Sequence, residues 1–189
     1  MGLHLLIRAC FAAAAASIPA AGLAADKAPV VVRSPELQLE FRAPAAWIVK
    51  HSTEEGEKLV TISRELRNAT PRYDVGLSAK SLNSARRKMG FGAVAMAREL
   101  CAMARTQGVA ITECRESHVD GFLQVEWRVL YPPRPDSADG TVAWIKCLAD
   151  DAADVLIRLT FESPQADWGS AEKAAEELMN GVRRLRPLD

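Results

Sequence analysis

Thiol and imidazole side chains are the first candidates for chemistry in this chain of 189 residues, which holds four cysteines and three histidines. Hydrolysis by such groups needs a nucleophile held against an oriented imidazole. Cys101 or Cys114 could pair with His118, but neither a Gly-x-Ser-x-Gly turn nor a His-Glu-x-x-His helix occurs. Because a disulfide or a core position explains these cysteines more simply, the sequence predicts no enzyme, and a hydrolase is the least favoured hypothesis.

Three of the cysteines lie beyond the N-terminal segment, namely Cys101, Cys114 and Cys147. In an oxidising compartment, one disulfide and one free thiol is the simplest arrangement. A helix-to-strand reversal at Gln107 and Gly108 favours the pairing of Cys101 with Cys114. The alternative is three reduced, buried thiols that pack as small hydrophobic side chains. The Cys-x-x-Cys spacing of a zinc site does not occur.

Two groups of carboxylates could bind a hard cation such as Ca²⁺, which takes about six to eight oxygen ligands. One group lies in a proline-rich loop and the other in a connection between strands; they are Asp136 with Asp139, and Asp150 with Asp151 and Asp154. Aspartate also accepts hydrogen bonds from the nearby backbone in ordinary turns. The sequence therefore predicts no metal ligands and no cofactor, with calcium binding as an alternative.

The run Arg86-Arg87-Lys88 is the least ordinary charged feature. It is predicted just before the start of a helix, where the helix dipole disfavours positive charge. The run could bind an acidic protein partner, and a solvated loop is the alternative. Three further arginines could join it in one basic patch: Arg64, Arg67 and Arg72. Aromatic residues are not interleaved with these charges, so nucleic acid is not expected as a partner.

Alternating apolar and polar residues predict the strands that position these groups. Three strands are expected near residues 37–42, 59–66 and 73–79. A helix is then predicted from apolar residues spaced by three and four positions. Its core-facing residues are Met89, Ala93, Met96, Leu100 and Met103.

A block of four strands and a terminal helix complete the predicted domain. Asp120-Gly121 predicts a tight hairpin, because both central positions of such a turn need positive φ. Ser163 is expected as the N-cap of the last helix, with Pro164 at its first position and an apolar repeat that reaches Leu185. Sequential antiparallel strands with segregated helices predict an α+β fold, in which an antiparallel sheet of about six to seven strands packs against two main helices.

The N-terminal segment has the order of features that export machinery recognises. A positive charge at Arg8 precedes an apolar run over residues 9–18, and small residues follow Pro19. The run is shorter than the roughly 20 residues that cross a bilayer. We expect cleavage near Ala24, with an uncleaved anchor as the alternative. The predicted organisation is a signal peptide over residues 1–24, a flexible leader over residues 25–35 and one domain over residues 36–189.

The balance of 24 basic and 24 acidic residues gives no bulk attraction to nucleic acid or to an anionic membrane. No second apolar run of membrane length follows the signal peptide, so the cleaved protein is not expected to insert into a membrane. These features predict a periplasmic protein. Any function that depends on charge has to come from a local cluster of charged residues.

Two phrases of the sequence resemble the PsbP-like superfamily. They are LEFRAPAAW at residues 39–47, and LTFESP at residues 159–164 followed by Trp168. In that family an early strand leads to a Pro-x-x-Trp turn, and the last strand leads into a terminal helix that carries a tryptophan. The resemblance implies an α/β/α sandwich and a role that is usually non-catalytic and partner-binding. The resemblance identifies no catalytic residue in this chain.

The favoured functional hypothesis is an exported accessory protein that binds another protein through loops and a sheet edge. Some bacterial proteins with the PsbP-like fold are immunity proteins or chaperones for secreted toxins, so the resemblance implies these as specific forms of the role. The alternative is a periplasmic protein that binds a small ligand or calcium.

Overall fold

The computed structural model describes residues 28–54, 56–65, 74–107, 109–133 and 139–185. The predicted signal peptide over residues 1–24 lies outside these residues. No helix in the described ranges is long and apolar enough to cross a membrane.

Strands dominate the described part of the chain, and three α-helices interrupt them there. The elements, in chain order, are β1 (Val30–Ser34), β2 (Leu39–Ala43), β3 (Ile48–Glu54), β4 (Glu57–Ser63), β5 (Gly76–Asn83), α1 (Ala85–Met89), α2 (Ala93–Gln107), β6 (Val109–Ala110), β7 (Arg115–Val119), β8 (Phe122–Tyr131), β9 (Thr141–Asp150), β10 (Val155–Pro164), α3 (Trp168–Asn180) and β11 (Arg183–Arg184). A 3₁₀ turn, Gln165–Asp167, leads into α3.

The described strands form two antiparallel sheets. The larger has the order β3-β4-β5-β10-β9-β8-β6, with β7 also paired to β8, and the smaller has the order β1-β2-β11. Helix α2 packs against β8, β9 and β10 on one face of the large sheet, while α3 contacts both β10 and β2 on the other face. This arrangement confirms the predicted α+β fold, an antiparallel sheet with helices packed on it.

Alternating apolar residues of β2, β5 and β10 build the core beneath α3. Leu39 and Phe41 of β2, Leu77 of β5, and Leu159 and Phe161 of β10 are each at most 1% exposed. Because successive side chains of a strand point to opposite faces, each strand gives this core every second residue. Burial of these residues holds α3 and the small sheet against the large one.

Three aromatic side chains link the start of the chain to its end. The Trp47 ring stacks on Phe161 with 6.2 Å between centroids, and Trp168 meets Phe161 edge-on at 6.0 Å. Both phrases that resemble the PsbP-like superfamily therefore contribute to one cluster. Pairs in this geometry contribute roughly 0.5–1.5 kcal/mol beyond the burial of their area.

The face of α2 that meets the sheet differs from the predicted one. Met103 is 41% exposed, and Met96 and Leu100 are only partly buried. The buried residues are small and lie about one position further along the helix; they are Ala93, Ala97, Cys101 and Ala104. Small side chains let the helix backbone approach the sheet closely. Ala93 belongs to both faces, and the buried face is rotated from the predicted one by roughly 75°.

Both ends of the described chain pair as strands where the sequence predicts other structure. Residues 30–34, within the predicted flexible leader, form β1 and pair with β2. The predicted helix start at Ser163 and Pro164 is wrong, because β10 stays paired with β9 as far as Pro164. The last helix also ends at Asn180, not near Leu185, and the chain returns as β11 along β2.

Candidate functional site

The basic run Arg86-Arg87-Lys88 lies inside α1 and forms its last turn, not a loop before a helix. A helix C-terminus favours positive charge, so the predicted conflict with the dipole does not arise. The Arg86 guanidinium lies 3.9 Å from the Asp151 carboxylate, and Lys88 Nζ lies 3.1 Å from Glu57 Oε1. Two of the three charges therefore have acidic partners within the molecule. Partner binding by this run stays a prediction.

The structure does not bring Arg64 to the basic run. Glu57, which pairs with Lys88, begins β4, whereas Arg64 follows its last residue and pairs with Glu65 and Asp167. The length of β4 puts roughly 20 Å between the two sites. The other two arginines of the predicted patch, Arg67 and Arg72, lie outside the described residues.

A disulfide joins Cys101 of α2 to Cys114, which precedes β7, as predicted from the reversal between them. The segment before β7 is not continuous strand, and β6 and β7 pair separately with β8. His118 is exposed on β7. Because Cys101 and Cys114 are bonded to each other, neither has a free thiol that His118 could activate. Burial raises the pKa of the third thiol, Cys147, to about 12, so it is not a thiolate at neutral pH.

The aspartates of the predicted calcium groups act as acceptors for backbone N–H groups. Asp150 accepts from Ala152 and Ala153 at 2.9 and 3.0 Å, and Asp151 accepts from Val94 in the first turn of α2 at 3.0 Å. Asp154 and Asp139 accept from Arg86 and Ala166, whereas Asp136 is outside the described ranges. No group of three metal-ligating side chains occurs among the residues that the structure describes.

A cavity of about 200 Å³ lies between the end of α3, β11 and the large sheet. The hairpin turn at Asp120-Gly121 borders it, and the φ angles of 52° and 85° there confirm the predicted turn. The apolar part of its lining is formed by Leu39, Val119, Phe122, Leu148, Met179 and Val182. The cavity thus combines a buried apolar wall with an accessible turn.

Lys146 is the least expected residue of this cavity. Its side chain is only 7% exposed, and Nζ donates a hydrogen bond to the Met179 carbonyl at 2.6 Å, near the end of α3. Nζ also lies 3.6 Å from the Glu126 carboxylate on β8. Burial lowers the pKa of Lys146, and Glu126 offsets part of that effect. In the sequence, the feature that indicates a buried lysine is its position within the apolar run VAWIKCLA of β9.

The pairing of Glu126 with Lys146 predicts a pH-dependent loss of stability in the Glu126→Gln variant. Removing one partner of a largely buried ion pair leaves a cation without compensation, and partial exposure of Glu126 reduces the cost to about 2 kcal/mol at pH 7. The pKa of folded Lys146 then drops further below its usual 10.5. At pH values between the lowered pKa of the folded state and the ordinary pKa of the unfolded state, the unfolded state binds more protons than the folded state. The free energy of unfolding therefore rises with pH in this range.

Urea denaturation at pH 7 and pH 10 measures this effect, and the deficit should shrink at the higher pH. In a Lys146→Met background the same Glu126→Gln change should cost less than about 0.5 kcal/mol. An equal cost with and without Lys146 would contradict the interaction.

Two arginines of β11 complete the rim of the cavity. The Arg184 guanidinium lies over the Phe122 ring at 4.8 Å, and it also borders a second cavity of about 170 Å³. The Arg183 guanidinium donates to the carbonyls of Asn180 and Val182 at 2.8 Å each. The apolar repeat that reaches Leu185 predicts a helix at both positions. The return of the chain along β2 is what brings them to the cavity.

The opposite edge of the large sheet is formed by β3, a strand of seven residues. Within the described ranges its hydrogen-bonded partner is β4 alone. Ile48 and Val49 of this strand are 42% and 37% exposed. They point to opposite faces of the sheet, because they are consecutive residues of a strand.

No family model and no curated protein sequence matches this chain. A solution structure of cyanobacterial PsbP (CyanoP) from Synechocystis sp. PCC 6803 is similar at 14% identity and a TM-score of 0.49, over 90% of this chain and 98% of that chain. The crystal structure of the Saccharomyces cerevisiae Ran-binding protein Mog1p is similar at 11% identity and a TM-score of 0.49, over 83% and 95%. A Bacteroides thetaiotaomicron structure is similar at 10% identity and a TM-score of 0.46, and this chain spans 50% of its length.

The large sheet with elements packed on both faces shows the predicted α/β/α architecture directly. At identities of 14% and below and TM-scores under 0.5, the similar structures carry no argument about function. Proteins that share a fold often differ in function, so the function has to be argued from the residues of this chain.

Proposed function

We propose that this protein is an exported, non-enzymatic accessory protein that binds an extended segment of another protein along β3. The export part of the proposal rests on the signal peptide predicted over residues 1–24. An immunity protein or a chaperone for a secreted toxin is a specific form of this role.

The open edge of β3 is the observation that carries the proposal. An edge strand presents a row of outward N–H and C=O groups, which an incoming strand can pair with. Many proteins blunt such edges with charges, prolines or short strands. β3 has seven residues, no proline and two adjacent exposed apolar side chains, Ile48 and Val49. Ile48 and Val49 suit an extended partner segment with apolar residues. Lys50 and Glu54 further along β3 carry opposite charges, so the strand has no net charge that selects an acidic or a basic partner.

The state of the thiols supports binding over catalysis. Cys101 and Cys114 are consumed in a disulfide, and burial holds Cys147 protonated at neutral pH. Both His51 and His118 are exposed on strands at the two sides of the large sheet. A nucleophile and a base are therefore not held together by these residues.

The first test is a pull-down from extract of the source cells with the tagged mature domain, residues 25–189, read by mass spectrometry. We expect one dominant stoichiometric protein, and a toxin as that protein would support the immunity or chaperone form. The absence of any specific partner at low and at physiological salt would overturn the proposed function.

The Ile48→Lys variant tests the site, since a charge on an edge strand opposes the addition of another strand. We expect capture of the partner to fall at least tenfold, with a melting temperature within about 2 °C of wild type because the residue is exposed. Val31→Lys is a matched control, because Val31 is 50% exposed on β1 of the small sheet. Equal capture by both variants would rule out the β3 edge.

A further inference from the structure

The cavity beside Lys146 carries an excess of positive charge. Lys146, Arg183 and Arg184 line it, and Asp120 is the one carboxylate in the lining that the structure describes. Neither arginine forms an ion pair with a carboxylate in the described part of the chain. The Arg184 guanidinium contacts the Asp120 carbonyl at a long 3.5 Å and lies 4.8 Å from the Phe122 ring centroid. Lys146 is partly neutralised by Glu126 and Arg183 is bonded to two carbonyls, so Arg184 is the cation that leaves a net positive charge on this concave surface and favours an anion there.

Part of the cavity lining is apolar and well buried. Leu39, Phe122, Leu148 and Met179 are each at most 5% exposed. The volume of about 200 Å³ accommodates roughly ten non-hydrogen atoms at ordinary packing density. The space therefore matches a small molecule that is anionic at one end and apolar along the rest.

We propose that this cavity binds a short-chain aliphatic monocarboxylate, with its carboxylate between Lys146 and Arg184 and its chain against Phe122 and Leu148. Lys146 contributes a donor already held in place by Met179 and Glu126. Arg184 contributes a guanidinium without a carboxylate partner among the described residues, which suits a carboxylate better than any other side chain does. The proposal is independent of strand addition at β3, since three strands lie between β3 and β9.

Calorimetric titration of the mature protein with octanoate, which has ten non-hydrogen atoms, tests the proposal. Two probes separate its parts: 1-octanol keeps the chain without the charge, and inorganic phosphate keeps the charge without the chain. We expect saturable one-to-one binding of octanoate, at least tenfold tighter than that of either probe. If either 1-octanol or phosphate bound as tightly as octanoate, the proposed ligand class would be wrong.

The Arg184→Gln variant locates the site. Loss of one charge-assisted hydrogen bond should weaken octanoate binding about tenfold or more. Arg42→Gln is the matched control, because Arg42 is exposed on neighbouring β2 and lies outside the cavity lining. In amide NMR spectra, octanoate should shift the signals of Phe122 and Leu148. Unchanged affinity in Arg184→Gln, or shifts confined to another part of the molecule, would overturn the assignment.

Discussion

Replacement of Phe161 by alanine is expected to lower the free energy of unfolding by about 4 kcal/mol, the largest effect among the substitutions considered. Phe161 is fully buried, and Trp47 and Trp168 contact it from two sides. The variant loses the burial of the ring and leaves a cavity beneath the start of α3, which the surrounding tryptophans fill only in part. Equilibrium denaturation in urea, followed by tryptophan fluorescence, measures the change.

The chain offers a matched control for this prediction in Phe91, which is 39% exposed before α2. Phe91→Ala removes the same atoms from a solvated position and should cost less than about 0.5 kcal/mol. If the two variants lost similar stability, or if Phe161→Ala cost less than about 1 kcal/mol, the aromatic cluster would not be what fastens α3 to the sheet.

Removal of the Cys101–Cys114 disulfide is expected to cost about 3 kcal/mol. The bond closes a loop with a sequence separation of 13, and a crosslink of this length restricts the unfolded chain by about that amount. It also ties α2 to the segment before β7, so the helix loses its covalent anchor to the edge of the sheet. The double variant Cys101→Ala/Cys114→Ala, compared with wild type by denaturation in urea, measures the loss.

Reductant supplies the control for the disulfide. Dithiothreitol should shift the wild-type midpoint toward that of the double variant and leave the double variant unchanged, because Cys147 is its one remaining thiol after signal cleavage. A wild-type midpoint that does not respond to the reductant would show that the crosslink contributes nothing to stability.

Local patterns in the sequence were sufficient for strands such as β2, β8 and β10 and for the turn at Asp120, but not for β1, β3 or β11. Alternation along β8 and β10 reflects a physical period of two, and the Asp-Gly pair specifies positive φ at both positions. The pairing of Cys101 with Cys114 was also predictable, because the two lie on either side of a single reversal. Each of these features depends on residues that are close in the chain.

Features set by distant contacts were not predictable in the same way. Apolar residues on α2 support two faces, and only contact with β8 and β9 selects the one with small side chains. The apolar repeat of α3 gave no sign that β2 would pair with Arg183 and Arg184. Lys146 is one charged residue in an apolar strand, but no nearby residue indicates its environment, which depends on the end of α3, 33 positions further along the chain.

The position of β2 makes the fold sensitive to whether the chain is complete. β2 lies between β1 and β11, which are the first and last strands of the described chain. Its buried residues Leu39 and Phe41 pack in one core with α3 and the large sheet, so a chain without α3 would leave them partly uncovered. A polypeptide that ends early keeps this apolar surface open, and proteases and chaperones act on such surfaces. Loss of the C-terminal helix would therefore expose apolar surface on a strand near the other end of the described chain.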